Sequence, residues 1–181
     1  MAADGEGLRG ARRVLLHGVT GSGKTTLARR LSDVTGLPWT EADTITWLPG
    51  WQQRPLEEQR ERIEALCSQD AWVLDSAYGT WVDLVLPRAE LVVALDWPRW
   101  RSLAWLVRRT VARTIDRREI CGGNVETWGQ TFSRDSIILW HFRSFADKRA
   151  RLDSWEADPC APPVLRFRSP RELERWLAGL G

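Results

Sequence analysis

Cysteine is scarce in this chain, and its placement excludes two kinds of scaffold. Cys67, Cys121 and Cys160 are far apart, odd in number and without a CxxC pair. Neither a disulfide framework nor a zinc site is expected, and reduced thiols in a cytoplasmic protein are. Residues 1–12 lack an apolar h-region, so no signal peptide is expected. The longest apolar run, near Leu91–Leu95, is far too short to cross a bilayer, so no membrane partner is expected. A strong excess of one charge is also missing. The net charge is +2, and arginine supplies nearly all of the basic residues. That balance does not mark a nucleic-acid binder. Internal repeats, long low-complexity segments, His/Cys clusters and a nucleophile–His–acid constellation are not apparent either.

What remains is a chain of 181 residues, long enough for one well-filled core and short for two. Residues 1–12 read as a disordered leader and 13–181 as a single domain. Twelve tryptophans are many for this length, and most are expected in the core or lining a cleft. Arg13–His17 reads as a short buried strand, and Leu27, Ala28 and Leu31 have helical spacing up to the stop at Gly36. Pro38–Glu41 reads as a second strand and residues 43–54 as a loop turning at Pro49-Gly50. Leu56–Cys67 reads as a helix, Trp72–Leu74 and Leu91–Leu95 as strands, and Arg99–Arg118 as an Arg-rich helix. Residues 119–134, with Gly122, Gly123 and Gly129, read as an excursion. Ile137–Leu152 reads as a helix, Val164–Phe167 as a fifth strand, and Pro170–Leu180 as a closing helix with proline in its first turn. Short apolar strands alternating with helices predict a three-layer α/β/α fold around a five-stranded parallel sheet.

Between the first strand and its helix stands Gly18-Val19-Thr20-Gly21-Ser22-Gly23-Lys24-Thr25, a full match to G-x-x-x-x-G-K-S/T. Its chemistry is that of a polyphosphate cradle. Glycines let the backbone turn its N–H groups inward and leave room for phosphate oxygens. The following helix adds the positive end of its dipole. Lys24 is expected to bridge the β- and γ-phosphates, the Thr25 hydroxyl to ligate magnesium, and Thr26 to contact the α-phosphate.

A carboxylate at a neighbouring strand end usually supports the metal. Asp75 ends the third strand and Asp96 the fourth; Asp75 is the preferred metal residue, and a helix N-cap accounts well for Asp96. Asp43, just after the second strand, is the candidate to orient an attacking hydroxyl, with Glu41 on the same face of an extended segment. Trp47 and Trp51 either line the acceptor cleft or close a small core of their own. Arg109, Arg113 and Arg117 are spaced i, i+4, i+8, with Arg108 nearby. Such a face suits the charge of a transferring phosphoryl group, and Arg109 and Arg113 are its candidates. His17 and His141 are expected to be packed and hydrogen-bonded.

These features together resemble the adenylate-kinase-like P-loop proteins often labelled topology modulation protein. The resemblance runs from about residue 13 to about residue 152. It rests on Gly18–Thr25, Leu37-Pro38, Asp43, Trp47-x-Pro49-Gly50-Trp51, Trp72-Val73-x-Asp75 with Tyr78, Leu95-Asp96-x-Pro98-Arg99 and the Arg108/Arg109/Arg113 helix. The family commonly has Asp-Gly-Asn-Tyr where this chain has Asp75-Ser76-Ala77-Tyr78. Its Gly-Cys-x-Glu is blurred here into Cys121-Gly122-Gly123-Asn124-Val125-Glu126. The resemblance implies a nucleoside-monophosphate-kinase-like fold, an acceptor-binding insertion at about 43–70 and a lid at about 110–145. It also implies ATP as donor; the reading as a whole is an ATP-dependent phosphotransferase that moves the γ-phosphoryl group of Mg-ATP to a small acceptor, a nucleotide or nucleoside among the candidates. The alternative expectation is a nucleotide-binding regulatory module with little turnover.

Overall fold

The computed structural model of the chain describes residue 8 and residues 10–116, 119–120, 124–125 and 137–180. Five strands form one parallel sheet: β1 (Arg13–Gly18), β2 (Trp39–Thr40), β5 (Trp72–Leu74), β6 (Leu91–Leu95) and β9 (Val164–Phe167). Their order across the sheet is β2-β5-β1-β6-β9. The first strand is therefore central, with Leu15 paired to Leu74 on one side and Val92 on the other.

Alternate side chains of each strand point to opposite faces, and both faces are covered. Val14 and Leu16 pack with Leu27 and Leu31 of α1 (Lys24–Thr35) and with Leu173 and Trp176 of α7 (Pro170–Ala178). Leu15, Leu74 and Val92 face the other way. They meet Ile63 of α3 (Leu56–Cys67), Val85 of α4 (Val82–Val85), and Leu152 and Trp155 of α6 (Ile137–Ala157). Trp72, Trp81, Trp97, Trp155 and Trp176 are buried, whereas Trp100, Trp105 and Trp140 are exposed, so the tryptophans are divided between core and surface. α7 begins with a capping box, in which Ser169 accepts from the Glu172 amide and Glu172 accepts from the Ser169 amide.

Three expectations change. Residues 43–54 are not a plain loop: they hold most of α2 (Ala42–Thr46) and the hairpin of β3 (Trp47–Leu48) and β4 (Gln52–Gln53). The short helix is anchored by a tertiary bond, Ala42 N–H to Asp75 at 2.8 Å, which no local pattern reveals. Leu8 of the leader is buried in the core and the Arg12 amide donates to Glu90, so the end of that segment is packed; residues 1–7 lie outside the described residues. The Arg-rich helix α5 (Arg99–Asp116) is followed by β7 (Glu119–Ile120) and β8 (Asn124–Val125), an antiparallel pair inside the expected excursion. Arg117, Arg118, Cys121, Gly122, Gly123 and Gly129 lie outside the described residues.

Candidate active site

The loop from Gly18 to Gly23 joins the C-terminal end of the central strand to the N-terminus of α1. Two glycines are required by space. A Cβ on Gly18 would sit 2.7 Å from the Leu95 carbonyl oxygen, and one on Gly21 would sit 2.7 Å from both Ser102 O and Leu106 Cβ. Gly21 also has φ +82°, in the left-handed region. The neighbouring strand and α5 therefore press directly on the loop.

The loop's carbonyls are held from outside. Lys24 Nζ donates to Gly18 O at 2.9 Å and Val19 O at 3.1 Å. Thr20 O lies 3.0 Å from His141 Nδ1, and Trp97 Nε1 donates to Ser22 O at 2.8 Å. Val19 O also accepts the Ser22 amide at 3.2 Å, closing the loop on itself. The Ser22 hydroxyl is buried and has no partner, a polar atom awaiting one. His141 is buried, and burial lowers its pKa, so it serves as a neutral donor to the loop.

Beside the loop the candidate acids separate clearly. Thr25 Oγ1 donates to Asp75 Oδ2 at 2.6 Å. Asp75 is 5% exposed, and desolvation raises its pKa despite the Thr25 and Ala42 bonds. Asp96 is committed elsewhere: Arg149 approaches it at 2.8 Å and Arg166 at 2.7 Å. Arg166 also reaches Asp153 and Glu156, both at 2.7 Å. The N-cap reading of Asp96 is thus replaced by an ion-pair network around a buried carboxylate, a tertiary role that no local pattern around the strand end reveals.

Asp43 accepts the Tyr78 hydroxyl at 2.5 Å. It shares the electrostatic neighbourhood of Lys24 with Asp75 and Arg109. Arg109 thus lies near the loop lysine. Arg113 lies one turn further along α5, and its side chain is outside the described residues. Trp47 and Trp51 pack edge to face at 5.9 Å, closing the hairpin on itself. Glu41 precedes α2 in extended backbone.

Sequence reasoning missed Lys148 on α6. Its Nζ lies 3.5 Å from Gly18 O, beside Lys24. The chain has only two lysines, and the fold brings both to one carbonyl. Desolvation, then the Lys24 charge, push the Lys148 pKa down to about 7, against the pull of Asp43 and Asp75. The scarcity of lysine in an arginine-rich chain was the available signal. His17 supports the same helix: Nε2 donates to Lys148 O at 2.9 Å and the ring packs on Trp155. Burial drives its pKa down to about 3, so it stays neutral. Arg151, one turn on, adds charge near Lys148, with its guanidinium beside Gly79.

The residues fit magnesium. A threonine hydroxyl and a buried carboxylate are hard oxygen donors, placed where a phosphate cradle opens. No helix among the described residues is long and apolar enough to cross a membrane.

A parallel sheet in this order, with a glycine loop at the end of its central strand, is an α/β fold matching that of P-loop kinases. Solved structures agree. The chain is similar to a shikimate kinase from Acinetobacter baumannii, solved with shikimate, at TM-score 0.55 and 18% identity, covering 96% of this chain and 92% of that one. It is similar to a gluconokinase from Sinorhizobium meliloti 1021 at TM-score 0.52 and 14% identity, covering 93% and 91%. At these identities the likeness establishes the fold. No protein-family model matches the chain, and no curated protein matches it.

Proposed function

We propose that the protein is an ATP-dependent small-molecule kinase that moves the γ-phosphoryl group of Mg·ATP to a hydroxyl of a small acceptor. The observation that carries this reading is the convergence of Lys24, Thr25, Asp75, Asp43 and Lys148 on one end of the sheet. A fold built only to hold nucleotide needs the first three. The acceptor-side pair of Asp43 and Tyr78, facing the same lysines, supports transfer.

The γ-phosphorus forms a bond to the acceptor oxygen while its bond to the β–γ bridging oxygen breaks; ADP leaves, and the acceptor's hydroxyl proton passes to Asp43 and then to solvent. The transferring group carries diffuse charge, so catalysis here is positioning and electrostatic stabilisation. Backbone amides of residues 18–23 and the helix N-terminus bind the phosphates. Lys24 leaves its own loop carbonyls to contact the β- and γ-oxygens, and Lys148 supplies a second ammonium there. Thr25 and Asp75 would hold magnesium, which neutralises phosphate charge. Asp43 orients the acceptor hydroxyl and receives its hydrogen bond, with Tyr78 fixing the carboxylate. Arg109 and Arg113 offset charge on the transferring oxygens. The topology modulation resemblance is compatible with this chemistry, and the segment at about 43–70 serves as the acceptor side.

The test is an acceptor panel scored by ADP release with magnesium and ATP. It should span nucleosides, nucleotides, sugars and hydroxy acids. Acceptor-dependent ADP release and a phosphorylated product support the reading. Nucleotide binding with no product from any acceptor would refute it in favour of a regulatory module.

A further inference from the structure

Two strand pairs far apart in sequence are joined through one side chain. Asn124, at the start of β8, is 2% exposed. Its Oδ1 accepts the Trp51 amide at 2.7 Å, and its Nδ2 donates to the Leu48 carbonyl at 3.0 Å. Leu48 and Trp51 bracket Pro49-Gly50 at the tip of the β3–β4 hairpin. A tight turn would ordinarily join those two groups to each other. Here a carboxamide bonds to both, so a residue 73 positions away completes the turn. Gly50 has φ +77° and Trp51 φ +57°, and Trp51 is the one non-glycine residue at positive φ among the described residues. A bulky residue in that region persists only when its surroundings hold it there.

We propose that Asn124 is a positioning residue: it fixes the acceptor-side hairpin against the segment after α5 and, through the hairpin, fixes the helix that carries Asp43. The path is continuous. The hairpin follows α2 directly, with Trp47 paired to Gln53. The Arg54 amide then returns to Thr46 O at 2.9 Å, and Arg54 Nε donates to Ile45 O at 2.9 Å. Both acceptors are carbonyls of α2. Asp43 lies one turn earlier on that helix, hydrogen-bonded to Tyr78. The inference rests on the kinase reading for what Asp43 does, but the mechanical link is independent of it. Both of these Asn124 carboxamide bonds go to the hairpin tip. Its effect falls on the acceptor half of the site.

The test compares wild type with Asn124→Ala and Asn124→Asp by amide hydrogen exchange, alongside calorimetry with Mg·ATP. Asp keeps an oxygen for the Trp51 amide and loses the donor to Leu48. In the alanine variant the Trp51 amide should exchange at least tenfold faster, and exchange should quicken through residues 42–53. Amides of β1 and β6 should hold their wild-type rates, and the Kd for Mg·ATP should stay within twofold. The aspartate variant should fall between the two. Unchanged protection at Trp51 overturns the proposal. So does loosening confined to Trp51 that leaves α2 untouched, or uniform loosening of the whole sheet with weakened nucleotide binding. If an acceptor is identified, its KM should rise in the alanine variant with little change in the KM for ATP. Failure of the wild type to bind Mg·ATP would sink the kinase reading and leave the exchange result standing.

Discussion

Replacing Lys148 with methionine should strengthen the ligand-free fold and weaken nucleotide binding, two effects of opposite sign from one residue. In the free protein the Lys148 pKa is about 7, below the ordinary lysine value, because burial and Lys24 oppose its charge. The unfolded chain then binds more protons than the native one between about pH 7 and pH 10.5, so stability rises with pH through that window. Below about pH 7 both states are protonated and the native state carries the full penalty. Lys148 is partly exposed along its length, which discounts the penalty to on the order of 1–3 kcal/mol at pH 6. The methionine variant should therefore melt higher at pH 6 by roughly 2–4 °C per kcal/mol relieved. Bound triphosphate reverses the balance, since its charge favours the ammonium. At pH 8 free Lys148 is mostly neutral, so binding should take up a proton at this site. Calorimetry of Mg·ATP in buffers of different ionisation enthalpy measures that uptake directly. The wild-type slope should show proton uptake at pH 8, and the methionine variant should lose most of it, leaving the share of Lys24. A wild-type slope of zero, or the same slope in both proteins, would refute the placement of Lys148 beside the phosphates.

Asp96→Ala should destabilise the protein by about 1–3 kcal/mol, because it removes the buried carboxylate that joins Arg149 to Arg166, while Arg166 keeps Asp153 and Glu156. Wherever that variant remains folded, its Mg·ATP affinity should match wild type; a loss of magnesium dependence instead would reassign the metal carboxylate. Asp75→Asn should do the reverse, melting within a few degrees of wild type while the magnesium-dependent part of ATP affinity falls about tenfold or more, read by titration with and without the metal. Tyr78→Phe should lower kcat for the acceptor about three- to tenfold with nucleotide affinity intact, since it removes the hydroxyl that Asp43 accepts. Equal loss in both parameters would place Tyr78 on the nucleotide side.

The sequence made the sheet legible and the tertiary contacts much less so. The boundaries of Leu56–Cys67, Trp72–Leu74, Leu91–Leu95 and Val164–Phe167 coincide with their sequence-based expectations. Continuous apolar runs between turn residues have few other uses in a chain of this size. The phosphate loop was equally plain, because its glycines are demanded by backbone geometry within eight residues. α2 was hidden because a five-residue helix has too few turns to show periodicity, and its anchor is Asp75, 33 positions away. Asp96 looked like a cap because capping is a local pattern, whereas Arg149 and Arg166 are 53 and 70 positions distant. Lys148 carries no local signal beyond a charge on a helix, and only the packing of α6 against the central strand brings it to Gly18. Asn124 stood in a segment whose motif was blurred, and its partners lie in a hairpin read as a loop.

The central claim is that the Gly18–Thr25 loop and Lys24 bind a nucleoside triphosphate with magnesium. Calorimetry on the purified protein with Mg·ATP and Mg·GTP tests it most directly, with Lys24→Ala as the control. A saturable one-site heat in wild type that vanishes in a folded Lys24→Ala protein is the expected result. No heat from either nucleotide at millimolar concentration, or equal binding by the two proteins, would contradict it.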